Sequence, residues 1–214
     1  MTLVLHSAWR ATAPYRVRIG LALKGVAYDY APVDLVAGQQ REPAYRAVNP
    51  QGLTPALVLD DGRVLTQSLA ILEWLDEAYP DPPILPAAPL DRAAVRQMAG
   101  IIACDIHPLN NTRVGRRLDK MGIDKAGVLD WIQGWIRDGF DALEPLVARH
   151  GAGFAFGDAP TLADCCLVPQ VYSARRYEVD IARWPAIQAA ADHAARRPAF
   201  AAAHPDRQPD ARPL

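Results

Sequence analysis

"WRATAPYRVRIGLALKG", Trp9 to Gly25, follows the strand-like run "TLVLH" (Thr2 to His6), and its reading decides the fold. Thr12 and Pro14 mark a helix start, since proline suits a first turn whose backbone donors lack intrahelical partners, and Gly25 stops the helix. "AYDYAPV" (Ala27 to Val33) reads as a second strand weakened by Pro32, which completes a β-α-β unit. Beyond it, "PALVLDDGRVLTQS" reads as a hairpin in which Asp61-Gly62 turns Val64 and Leu65 back beside Leu57 and Leu59. A further helix runs from Ser68 to Tyr79, with Leu72, Leu75 and Tyr79 on one face.

A β-α-β unit followed by β-β-α predicts a thioredoxin-like α/β domain over residues 1–82. "YPDPPILPAAPLD" (Tyr79 to Asp91) is proline-dense and reads as an inter-domain connection, and residues 88–214 read as an all-α domain. There Val95, Met98, Ile102 and Ile106 recur at helical spacing until Pro108 interrupts them. Val128, Ile132, Trp135, Phe140, Leu143 and Val147 form the broadest stripe. Thr161 and Asp164 have the spacing of a capping box.

With 214 residues, half of them hydrophobic, the chain can bury a substantial core, and a net charge of −1 gives no basic excess for nucleic acid. No apolar run suits a membrane, and the N-terminus lacks a secretory pattern, so a cytoplasmic protein is expected. Three cysteines, two of them adjacent, suit a reducing compartment, and Cys104, Cys165 and Cys166 read as small buried apolar residues. Five scattered histidines and no Cys-x-x-Cys predict no metal.

Three features can hold a ligand. The helix start at Thr12 offers free amides and the positive end of a dipole to an anion. Thr54, ahead of Pro55 and a strand, can pair its backbone with an extended peptide. Gln67 and Ser68 open another helix, suited to a carboxylate. A thiolate anchor, a peptide anchor and a carboxylate anchor together match the shape of glutathione.

On the segments "YRVRIGLALKG", "NPQGLTPAL", "TQSLAILEWL", "CDIHPLNNTR" and "GDAPTLADCCLVPQVYSARRYEVD", nearly the whole chain resembles the cytosolic glutathione transferase superfamily. It is most similar to the zeta class, the maleylacetoacetate isomerases, and especially to the bacterial glutathione-dependent maleylpyruvate isomerases. One departure is clear: where that class usually carries Ser-Ser-Cys, this chain has Ala11, Thr12 and Ala13. The resemblance implies that the helix points at the sulfur of glutathione itself, so the missing cysteine need not abolish the chemistry.

The resemblance further implies that Ala11, Thr12, Ala13, Thr54, Pro55, Gln67 and Ser68 bind glutathione, with Gln40 and Gln51 at its glycyl end. Asp105, Ile106, His107, Asn111, Thr112 and Arg113 are expected to contribute to the glutathione or substrate site. Arg10, Arg113 and Arg176 would bind a dicarboxylate keto acid, because planar guanidinium groups take carboxylates bidentately. Thr12, Arg10 and Arg176 are the expected catalytic residues. The implied activity is cis-trans isomerisation of maleylpyruvate or maleylacetoacetate, and the implied assembly is a homodimer. Two other readings stand beside it: a transferase that conjugates small electrophiles, and a non-catalytic association module.

Overall fold

The computed structural model describes residues 3–212. Thr2, the first residue of the expected leading strand, lies outside them. The chain forms two compact units: residues 1–83 together with 197–214, and residues 84–196. The C-terminal segment, read from sequence with the helical domain, packs with the first unit.

In the first unit β1 (Leu3–Ser7) leads through α1 (Thr12–Leu23) to β2 (Tyr28–Pro32). A 3₁₀ turn at Gln39–Arg41 and the short helix α2 (Pro43–Val48), neither anticipated, precede β3 (Ala56–Val58), β4 (Val64–Thr66) and α3 (Ser68–Ala78). The sheet order is β2-β1-β3-β4, with β1 parallel to β2 and antiparallel to β3. The hairpin register sets Leu57 opposite Leu65 and Val58 opposite Val64. Gly62 takes φ 85°, which is why a glycine closes the Asp61-Gly62 turn.

Helix α1 is buried nearly all round, since it packs on α3 and on the C-terminal helix that contains Phe200. Gly20 makes the α1–α3 approach possible: a Cβ there would overlap the Leu72 side chain. Tyr79, expected on the inner face of α3, instead caps the helix end and is exposed, because the helix stops at Ala78.

The second unit contains α4 (Pro89–Gly100), a π-helical turn at Ile101–Ile106, α5 (Thr112–Lys120), α6 (Lys125–His150), α7 (Leu162–Arg176) and α8 (Pro185–Ala195). The last helix, α9 (Pro198–Ala203), belongs to the first unit. Val95, Met98, Ile102 and Ile106 are all buried as expected, but the helix changes form before Pro108, in the π turn, where His107 N donates to Ile102 O at 2.9 Å. That wider turn leaves Cys104 exposed, against the expectation that all three cysteines are buried. In α6 the buried stripe runs through Ile132, Ile136, Phe140, Leu143 and Val147. Trp135 and Val128 lie half-buried at its edge, so Ile136 takes the place expected of Trp135.

Helix α7 is the centre of this unit, with Cys165 and Cys166 among its fully buried residues. Its capping box is present: the Asp164 carboxylate accepts from Thr161 N at 2.8 Å, from Thr161 Oγ1 at 2.9 Å and from Ala155 N at 2.7 Å. Burial nevertheless pushes the Asp164 carboxyl up to about 6. No helix of the described residues is long and apolar enough to cross a membrane.

Candidate active site

The loop from β1 into α1 carries Arg10, Ala11, Thr12 and Ala13. Ala11, not Thr12, is the N-cap residue, and no side chain caps the helix there. Thr12 is instead the first helical residue and is 7% exposed. An alanine at the cap has no oxygen to offer the first-turn amides, so these donors keep the capacity to bind an incoming anion. No acidic residue occupies the first turn to neutralise the dipole. Arg10 is half-buried, with its guanidinium over the Trp9 ring at 5.3 Å.

The second group of expected residues is built by the turn ahead of β3. Asn49 Nδ2 and Tyr45 Oη both donate to Leu53 O, at 2.7 and 2.6 Å, while Asn49 Oδ1 accepts from Gln51 N at 3.1 Å. Burial pushes the Tyr45 hydroxyl up to about 12, so it stays a proton donor at neutral pH. These bonds fix the path into Thr54 and Pro55, whose peptide bond is cis. Gly52 has φ 65°, and a Cβ there would come within 2.9 Å of Gln40 O, so the turn lies directly against Gln40. The Gln40 Oε1 atom is buried without a hydrogen-bond partner in the structure.

Because Ala56 pairs with Thr66 across the hairpin, Pro55 and Gln67 leave the same end of the β3–β4 pair. Gln67 Nε2 donates to Gln51 Oε1 at 2.9 Å. Gln67 is the N-cap of α3 at φ 67° and ψ 114°, a conformation costly for any residue but glycine, and no side chain caps this helix either. Ser68, at the first turn, is buried and accepts from Arg16 Nη1 at 3.3 Å. Thus Gln40, Gln51, Thr54, Pro55, Gln67 and Ser68 form one neighbourhood within the first unit.

The other expected residues belong to the second unit. Asp105 is exposed on the π turn. Ile106 buries its side chain where a Cβ on Gly139 would overlap it, so only its backbone is available to a ligand. His107 is half-buried just beyond. Asn111 caps α5 by accepting from Arg113 N at 3.0 Å, which leaves Thr112 and the Arg113 side chain exposed. Arg176 ends α7, with its guanidinium 4.8 Å from the Tyr177 ring centre and Nη2 donating to Tyr177 Oη at 3.0 Å. No group of acidic, histidine or cysteine side chains that could hold a metal occurs among the described residues.

Sequence reading passed over Arg16 and Arg18, which are both buried in α1 at 2% and 0% exposure. A signal was present. Two residues apart on a helix point about 200° apart, so a short helix that is apolar elsewhere cannot turn both arginines to solvent once it is covered on several sides.

Residues 13–78 match the glutathione S-transferase N-terminal domain, and residues 129–202 match the C-terminal domain of the same family. A maleylacetoacetate isomerase of Pseudomonas aeruginosa is 49% identical over 96% of this chain and 97% of its own length. The holo structure of a maleyl pyruvate isomerase, described as a bacterial glutathione S-transferase of the zeta class, superposes with a TM-score of 0.95 at 45% identity, over 98% of this chain and all of that one. A maleylacetoacetate isomerase from Anaeromyxobacter dehalogenans 2CP-1, solved with bound dicarboxyethyl glutathione and citrate in its active site, superposes at 0.90 with 44% identity, over 99% of this chain and 98% of that one. A thioredoxin-like sheet unit with open helix starts, a helical unit around a capped α7, and full-length likeness to these enzymes agree: the chain belongs to the glutathione transferase superfamily, in its zeta class of maleylacetoacetate and maleylpyruvate isomerases.

Proposed function

We propose that this protein is a glutathione-dependent isomerase that converts a maleyl keto acid, maleylpyruvate or maleylacetoacetate, to its fumaryl isomer. The observation that carries the reading is the start of α1, which no side chain caps at Ala11 and whose first helical residue is the buried Thr12. The residues fit the tripeptide. An open helix start suits a thiolate, the backbone of Thr54 suits an extended peptide, and the uncapped start of α3 at Gln67 and Ser68 suits a carboxylate. The orphaned Gln40 Oε1 beside the Gln51-Gly52 turn supports the glycyl end there.

When bound, glutathione supplies the sulfur nucleophile that adds to the electron-poor cis double bond, allows rotation and leaves again. The chain's own task is to keep that sulfur ionised. Lowering a thiol pKa from about 8.5 to about 6.5 takes roughly 2.7 kcal/mol, whereas a helix terminus gives about 0.3 to 1 kcal/mol, and up to about 2 where partly buried. Thr12 Oγ1 and the Ala13 amide would supply the remainder as hydrogen bonds. Arg10 and Arg176 would stabilise charge developing on the keto-acid oxygen, and with Arg113 would meet the two carboxylates. Asp105, Ile106, His107, Asn111 and Thr112 are assigned to glutathione or substrate binding.

Three cysteines, none of them in a disulfide, suit the reducing cytoplasm to which we assign the protein. A homodimer belongs to the same reading, and sedimentation as a monomer at micromolar concentration would count against it.

The direct test mixes the protein with each maleyl keto acid, with and without glutathione, and follows loss of enol absorbance. A glutathione-dependent loss with at least one is expected; none with either overturns the reading. Thr12→Val should raise the bound thiol pKa by about one unit and slow turnover about threefold at neutral pH.

A further inference from the structure

Between β1 and the open start of α1, Trp9 is held by two side chains that come from elsewhere in the first unit. Arg18 is fully buried; its Nη2 donates to Trp9 O at 2.7 Å, its Nη1 to Ser7 Oγ at 3.0 Å and to Ala8 O at 3.5 Å, and its Nε to Ala203 O at 3.1 Å. The guanidinium also lies 5.2 Å from the Tyr15 ring centre. From the other side, Asp210 Oδ2 accepts from Trp9 N at 3.1 Å, while its Oδ1 accepts from Tyr30 Oη at 2.6 Å. Both backbone polar groups of Trp9 are therefore satisfied by ionic side chains, one from α1 and one from the chain's C-terminal segment.

The residues that follow are Arg10 and Ala11, and Ala11 N itself donates back to Ala8 O at 3.1 Å. With so short a connection, the orientation of the Trp9 peptide groups sets where the Ala11–Ala13 amides and the Thr12 hydroxyl point. Hydrogen bonds to charged groups are shorter and stronger than neutral ones, and those made by buried Arg18 are shielded from water. We propose that Arg18 and Asp210 are positioning residues for catalysis: by gripping Trp9 O and Trp9 N they hold the α1 entry loop so that its amides and Thr12 Oγ1 converge on the glutathione sulfur. This rests on the reading that the α1 start holds that sulfur. Neither residue touches the reacting atoms.

The test titrates the thiol of bound glutathione by its ultraviolet thiolate absorbance and compares kcat with KM. Asp210→Ala should raise the bound thiol pKa by about one unit, so that kcat at pH 6 falls close to tenfold while KM for glutathione changes less than threefold. Asp210→Asn keeps the shape and one acceptor oxygen, should fold where Asp210→Ala does not, and should show about a threefold fall. Tyr30→Phe removes the Asp210 Oδ1 bond and the hydroxyl's bond with Ser7, leaves the Trp9 N to Asp210 Oδ2 bond in place, and should titrate like the parent protein. An unmoved thiol pKa in Asp210→Asn or Asp210→Ala, even with lowered stability, overturns the proposal, as does an equal shift in Tyr30→Phe. Thr12→Val separates the two claims: if it shifts the thiol pKa and the Asp210 variants do not, only the positioning role fails. If neither shifts it, the assignment of the sulfur to the α1 start fails too.

Discussion

Most helices of the helical unit begin with a side-chain cap, α4 at Ala88 and Pro89 being its exception, whereas α1 and α3 of the sheet unit begin without one. In the helical unit, Asn111 caps α5, Asp124 Oδ1 accepts from Gly127 N at 2.8 Å to cap α6, Thr161 and Asp164 close α7, and the Glu144 carboxylate takes Ala186 N and Ile187 N at the start of α8. In the sheet unit, α1 and α3 start at Ala11 and Gln67 with no side-chain cap. A first turn satisfied by its own protein contributes to stability, whereas one left open keeps its donors for a ligand. The contrast separates a scaffold from a binding surface.

The largest expected effect comes from opening what is closed. Asp164→Ala should cost about 3 to 4 kcal/mol in chemical denaturation, since it leaves buried donors on Ala155 and Thr161 without their acceptor. A loss below 1 kcal/mol would mean that the cap contributes little. The same carboxyl gives a pH dependence. Its folded-state pKa is raised from 3.8 to about 6, so the stability it contributes is full below pH 3.8 and is lost as pH rises through about 6. The stability difference between the parent protein and Asp164→Asn should therefore shrink from pH 4 to pH 7, by on the order of 2 kcal/mol. A flat difference across that window would show that the three hydrogen bonds offset burial.

Closing what is open should trade function for stability. Ala11→Asp supplies the missing cap and should stabilise the protein by about 1 kcal/mol while raising KM for glutathione about tenfold or more, because the new carboxylate occupies the anion position. Unchanged glutathione affinity would place the sulfur elsewhere. The smallest expected change is at α3: Gln67→Gly relieves the positive φ, gaining about 1 kcal/mol, and loses the bond to Gln51, with KM for glutathione rising a few-fold. A net loss of stability would show that Gln67 stores no strain.

The order of elements was legible because local rules govern it: Gly62 closes the hairpin at φ 85°, and the apolar stripes of α4 and α6 face inward almost as their spacing requires. Errors fell where a non-local effect intervenes. The π turn rotates Cys104 outward and moves the interruption upstream of Pro108, and the helix stripe drifts one position from Trp135 to Ile136. Thr12 looked like a cap from composition, yet the backbone enters the helix one residue earlier. Nothing local marked Arg18 and Asp210, since their partners lie up to 201 residues away.

That separation in sequence bears on how the protein is made. The sheet unit is assembled from two stretches of chain, and Trp9 N and Arg18 Nε find Asp210 and Ala203 only once residues 203–210 have left the ribosome. A nascent or prematurely terminated chain thus lacks those ties, and quality control would meet it as an incomplete domain before it could act as a half-competent enzyme.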